Sequence, residues 1–148
     1  MEAKDQKFSY MEWKSPEEMH ISCLQWLSEI HFIEDEHIFL EDMLREYTLP
    51  VLEAHFYEKA RNLITELSTL DKRRADLKTR LLRHRNRLEI MVDGKDQLEE
   101  ETEYKDEHRR LKNEMGHFNQ KYRNLKQEIF LTVSKALKDQ KQKRLLSD

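Results

Sequence analysis

Glycine and proline are nearly absent: the 148 residues contain two of each. β-Sandwiches, β-barrels and doubly wound α/β folds need a turn signal about every ten residues, so this scarcity excludes them. Cysteine is rarer still, and the single Cys23 cannot close an intrachain disulfide. Long hydrophobic runs are missing too. The longest uncharged stretch, Met19 to Ser28, contains a histidine, a glutamine and two serines, whereas a membrane helix needs about 20 mostly apolar residues. The N-terminal Met-Glu-Ala-Lys-Asp-Gln-Lys lacks the apolar segment of a secretory signal. These absences predict a cytoplasmic protein without a membrane partner.

What remains is 39% charged and 37% hydrophobic residues, the composition of long amphipathic helices. Ser15-Pro16-Glu17-Glu18 combines a serine N-cap, a proline at the first helical position and a glutamate placed to complete a capping box. From there Met19, Cys23, Trp26, Leu27, Ile30, Ile33, His37, Leu40 and Leu44 recur at helical spacing, which predicts a first helix over 16–47. Thr48-Leu49-Pro50 interrupts it, because proline lacks the backbone donor that a helix interior uses. A second pattern, Leu49 to Met91 in steps of three and four, predicts a helix over 49–92, with Arg74 and His84 as its only polar members. Asp93-Gly94 supplies a turn and a C-cap. A third pattern from Leu98 to Ala136 predicts a helix over 95–138, with Gly116 inside it as the mark of a close helix crossing or a bend. The basic tail 139–148 is expected to fray. The fold class is therefore all-α: an antiparallel three-helix, coiled-coil-like bundle over 16–138.

Folding the chain tightly at its two turns sets Ala60 level with His37 and about Gln127. The second helix then spans about 65 Å and the first only about 48 Å, leaving the Asp93-Gly94 end without a third helix. Ahead of the bundle, residues 1–15 form an arm carrying Phe8, Tyr10, Met11 and Trp13. Four large apolar side chains are more than a disordered tail carries. The arm is expected to dock, within this chain or across a dimer, and to complete the bundle.

Charge is strongly segregated. Lys72 to Arg87 holds eight Lys and Arg against Asp76 alone, which in isolation suggests nucleic acid. The hairpin, however, brings this run opposite Glu99 to Glu107, where six acids face only Lys105. Likewise, residues 16–48 hold nine acids and one base, Arg45, while the third helix offers Lys121, Arg123 and Lys126 at the matching height. Such pairs are individually weak, about 0 to 1 kcal/mol, and act by selecting which helices lie side by side.

Glu-x-x-His, the spacing of ferritin-like di-iron bundles, occurs at Glu17/His20, Glu34/His37 and Glu114/His117. Two of these share one helix and the third lies at another height, so they do not assemble a di-iron site. A hemerythrin-like set of His37 and Glu41 with His31 and His55 lacks a further histidine pair. The weak metal candidates are Glu34, His37 and Glu41, centred on the first helix's stripe, and His20, His84 and His108 at a second polar level with Tyr104. At the height of His37 the second helix offers Lys59 and Asn62, which favours a satisfied polar layer that sets register over a metal. Cys23, on the buried stripe, is a small apolar core residue. No phosphate-binding glycine loop, nucleophile elbow or cysteine zinc knuckle is present, and no cofactor is expected.

Trp26-Leu27-Ser28-Glu29-Ile30-His31-Phe32, followed by Glu34-Asp35-Glu36, resembles the opening helix of small uncharacterised bacterial helical-bundle proteins. The resemblance implies a helical bundle in a bacterial cytosol and carries no activity. The expected function is a non-enzymatic interaction or structural protein that binds a protein partner or self-associates as a homo-oligomer. The alternatives are a metal-binding oxidoreductase or metal store using Glu34, His37 and Glu41, and, ranked lower, nucleic-acid binding through Arg73 to Arg87.

Overall fold

The computed structural model describes residues 15–48, 54–93 and 98–147, and shows three helices and no strand among them. They are α1 (Pro16–Tyr47), α2 (Ala54–Asp93) and α3 (Leu98–Ser147). The Glu18 N–H donates to Ser15 Oγ at 3.2 Å, and the Met19 N–H to the Ser15 carbonyl at 3.0 Å. Ser15 is therefore the N-cap that the sequence signals. No helix among the described residues is long and apolar enough to cross a membrane. The arm residues Phe8, Tyr10, Met11 and Trp13, and the 49–53 connection, lie outside the described residues.

The chain is an all-α three-helix bundle, divided into two compact units that each take one segment from every helix. The first unit comprises Met1–Ile30 with Asp76–Gly116, the second His31–Ala75 with His117–Asp148. In the first, Met19, Cys23 and Ile30 of α1 are buried with Leu77, Leu81 and Leu88 of α2 and Leu111 and Met115 of α3. In the second, Ile33, Leu40 and Leu44 are buried with Phe56, Ala60, Leu63 and Leu67 and with Phe118, Leu125, Ile129 and Ala136. From His108 onward every member of the predicted α3 stripe is buried.

Three expectations are corrected. Folding at Asp93-Gly94 places α3 correctly against α2, since Lys59 meets Glu128 at 4.0 Å. Folding tightly at Thr48-Pro50 does not place α1. In the second unit Glu34 reaches Arg74 at 3.4 Å, where a tight turn would set it opposite Leu63. In the first unit His20 lies 3.6 Å from Glu89, so α1 covers α2 almost to its C-terminus, and that end is not left uncovered. Secondly, α3 does not stop at Lys138: it is helical through Ser147. Residues 139–147 contain neither glycine nor proline, and Lys143 pairs with Asp139 at 3.3 Å one turn away. Thirdly, a Cβ at Gly116 would meet nothing within 4 Å, so no close helix crossing explains that glycine.

Candidate functional site

In both units the apolar stripe is interrupted by polar side chains, and each interruption is resolved differently. In the first unit His84 and His108 replace apolar residues on facing stripes of α2 and α3. His84 Nε2 and His108 Nδ1 share a hydrogen bond at 3.2 Å, and the Trp26 ring stacks on His108 with centroids 4.7 Å apart. His84 is 1% exposed, and its Nδ1 is buried without a hydrogen-bond partner. Burial pushes its pKa down to about 4, with Arg87 pushing the same way and Glu107 opposing. A neutral His84 imidazole, bonded to a His108 ring that packs under an indole, makes a layer that becomes costly when His84 is protonated.

Beside it Arg80 donates to Glu107 at 3.4 Å and to Glu114. This is the predicted match between the basic run of α2 and the acids of α3. An open groove of about 400 Å³ is lined here by Asp76, Arg80, Arg83, His84, Arg87 and Glu107, so both signs of charge share it. His20 does not join the histidine pair; it turns to Glu89. The Cys23 thiol donates to the Leu81 carbonyl at 3.4 Å, and burial raises its pKa to about 11, which keeps it a protonated core residue.

In the second unit the interruption is ionic. The Arg74 side chain, 8% exposed, reaches Asp71 at 2.8 Å and Glu34 at 3.4 Å. Glu36 accepts from Tyr122 Oη at 2.5 Å and from Lys126 Nζ at 3.0 Å, the predicted pairing of α1 acids with α3 bases. Burial raises the Tyr122 pKa, reinforced by the hydrogen bond to Glu36, so the phenol stays protonated as the donor. His37 Nε2 lies 3.8 Å from Glu41. It lines a small cavity with Leu67, Asp71, Arg74 and Tyr122, rather than standing with Lys59 and Asn62. Those two are exposed, beside the buried Ala60 and Leu63, and the shifted α1–α2 register takes them away from the height of His37.

The weak metal candidates therefore do not converge. Glu34 is committed to Arg74 and His37 to Glu41, and His20 stands apart from His84 and His108. Among the described residues no three His, Cys, Asp or Glu side chains group in a way that could hold a metal ion.

Beyond these polar layers the second unit exposes large apolar side chains in register. Phe32 and Phe39 of α1 are 62% and 59% exposed, and Phe130 and Leu137 of α3 are 43% and 41% exposed. Glu36, which touches α3, lies four residues after Phe32 and three before Phe39. Lys126, which touches Glu36, lies four residues before Phe130. Side chains three, four and seven apart share one helix face, so Phe32, Phe39 and Phe130 flank the α1–α3 seam on its solvent side, with Leu137 one heptad further along α3. The spacing of seven was visible in the sequence, but it lies off the main apolar stripe, and only the Glu36–Lys126 contact brings the two lines together. Trp26 and Glu36 likewise acquire roles that no sequence signal assigned. Comparison with family models, curated sequences and solved structures found no match to this chain.

Proposed function

We propose that this protein is a non-enzymatic helical-bundle interaction protein of the cytoplasm, and that the solvent side of the α1–α3 seam in the second unit is its partner surface. The observation that carries this reading is the set of Phe32, Phe39, Phe130 and Leu137, exposed on two adjacent helices at heptad spacing. Aromatic anchors at such spacing are the means by which helical surfaces bind another helix, and this second apolar line stands outside the buried core. Phe8, Tyr10, Met11 and Trp13 of the N-terminal arm add further large apolar side chains to the interaction capacity. The cytoplasm is the compartment proposed because the single Cys23, free and buried, needs no oxidising surroundings.

The test is a photo-crosslinking amino acid placed at Phe39 in the full chain in cells, compared with the same probe at Lys112, an exposed position of the first unit. Protein adducts from position 39 and none from position 112 are expected. Absence of any protein adduct from position 39 overturns the reading.

A further inference from the structure

The two signs of charge in the groove of the first unit are separated along its length. Its lining acids are Asp76 and Glu107. Both Glu107 oxygens are taken, Oε1 by Arg80 at 3.4 Å and Oε2 by Arg110 at 3.3 Å, and Arg80 also holds Glu114. Asp76 stands seven residues before Arg83, about 10 Å away along α2. The other end of the groove belongs to Arg83 and Arg87, both exposed.

Arg83 and Arg87 are four residues apart and share one face of α2. No acid stands three or four residues from either of them, and among the described residues neither makes an ion pair. Like charges at this spacing repel, so the pair lacks a counter-charge within the chain. His84, between them in sequence, lines the same groove. Its Nε2 is engaged by His108, and its Nδ1 is the one buried side-chain nitrogen or oxygen of the lining residues without a hydrogen-bond partner. The Arg87 charge acts on this ring, which sets the guanidinium close to it. A buried polar atom that the chain leaves unsatisfied, beside two cations that it leaves unneutralised, suits an anion rich in hydrogen-bond acceptors.

We propose that this end of the groove binds a phosphate group, carried by inorganic phosphate or by a small phosphate monoester. Arg83 and Arg87 bracket the anion with their N–H forks, and His84 donates to it from Nδ1. In this arrangement His84 Nε2 accepts from the His108 Nδ1–H, so the neutral His84 ring keeps its one proton on Nδ1. Two guanidinium groups and an imidazole suit the three terminal oxygens of a phosphate better than the two of a carboxylate. A groove of about 400 Å³ has the size of a small-molecule site, and the carboxylates of Asp76 and Glu107 beside it disfavour a long polyanion.

Isothermal titration calorimetry on the full chain at constant ionic strength tests it, with inorganic phosphate and with glycerol phosphate. Saturable one-to-one binding is expected, with a Kd of about 1 mM or tighter for at least one of them. Tighter binding of glycerol phosphate assigns an ester ligand, and equal or weaker binding assigns inorganic phosphate. Arg83→Gln and Arg87→Gln are each expected to weaken binding about tenfold. Arg73→Gln removes the same charge from α2 outside the groove and is expected to change the affinity less than about twofold. The His84 ring, followed by NMR with labelled histidine, is expected to shift along the same saturation curve, and this readout needs no substitution in the core. No saturable binding of either compound by about 20 mM, an Arg73→Gln loss equal to that of Arg83→Gln, or a His84 ring that does not move overturns the site. Binding of single-stranded DNA without binding of phosphate also overturns it, in favour of a polyanion on this face.

Discussion

The first unit resolves its polar interruption with a histidine pair in which His84 is held neutral, the second with paired charges, although the same three helices build both. His84 carries no charge while it is held at a pKa of about 4, so its layer behaves as an apolar one so long as the proton stays off. Arg74 pairs with Glu34 and Asp71, and Glu36 with Lys126 while it accepts from the neutral Tyr122 phenol. Their acids keep about a fifth to a third of the side chain in solvent. The first layer places two polar groups, His84 and His108, where the repeats call for apolar residues, and the second places Arg74 there. The neutral layer is sensitive to mild acid, and the ionic layer is sensitive to loss of a partner.

Acid should separate the two units most. The folded-state pKa of His84 lies below its unfolded value of 6.5, so the unfolded chain binds the extra proton. The stability this group contributes is fully present above pH 6.5 and is lost as pH falls toward 4. A shift to about 4 corresponds to about 3 kcal/mol by that point. NMR titration of the His84 ring should give a midpoint well below 6, and denaturant unfolding should show the matching acid loss. A midpoint at or above 6.5 would refute a buried neutral layer.

Breaking the ionic layer comes next. Arg74→Ala removes the buried cation but leaves two carboxylates that water can still reach. The expected loss is about 2 kcal/mol, less than the 3 to 5 kcal/mol of a fully buried pair. It should appear in urea unfolding at neutral pH, with no change in the His84 titration. If both change together, the two layers are not independent.

The smallest expected effect belongs to a position that touches neither layer. Gly116→Ala places a methyl group in open space within a helix and should raise stability by about 1 kcal/mol, seen as a higher thermal midpoint. A loss instead would show that the glycine serves the backbone there.

Much of this architecture is legible in the residues. Ser15 and Pro16 mark the start of α1, and Asp93-Gly94 sets the α2–α3 register well enough to place Lys59 beside Glu128. The basic run of α2 finds its acids through Arg80 and Glu107. The α1–α2 register is not legible. Pro50 ends a helix without specifying how long the connection to the next one is, and packing sets the axial offset. Once that offset changed, the neighbours of His37 changed with it, and the expected layer with Lys59 and Asn62 disappeared. The candidate surface was half visible: Phe32–Phe39 and Phe130–Leu137 stand at spacings of seven, but two lines on separate helices become one surface only when a contact joins them.

By itself the sequence determined what is local: which residues are helical, where α1 starts, and which face of each helix is buried. Those follow from backbone geometry, capping and a periodicity of 3.6 residues per turn. Tertiary structure alone decided the offset between α1 and α2, the meeting of His84 with His108 under Trp26, and the solvent-facing α1–α3 seam. Each of these depends on how far one helix slides along another, which many interdigitating side chains set together and no local motif encodes.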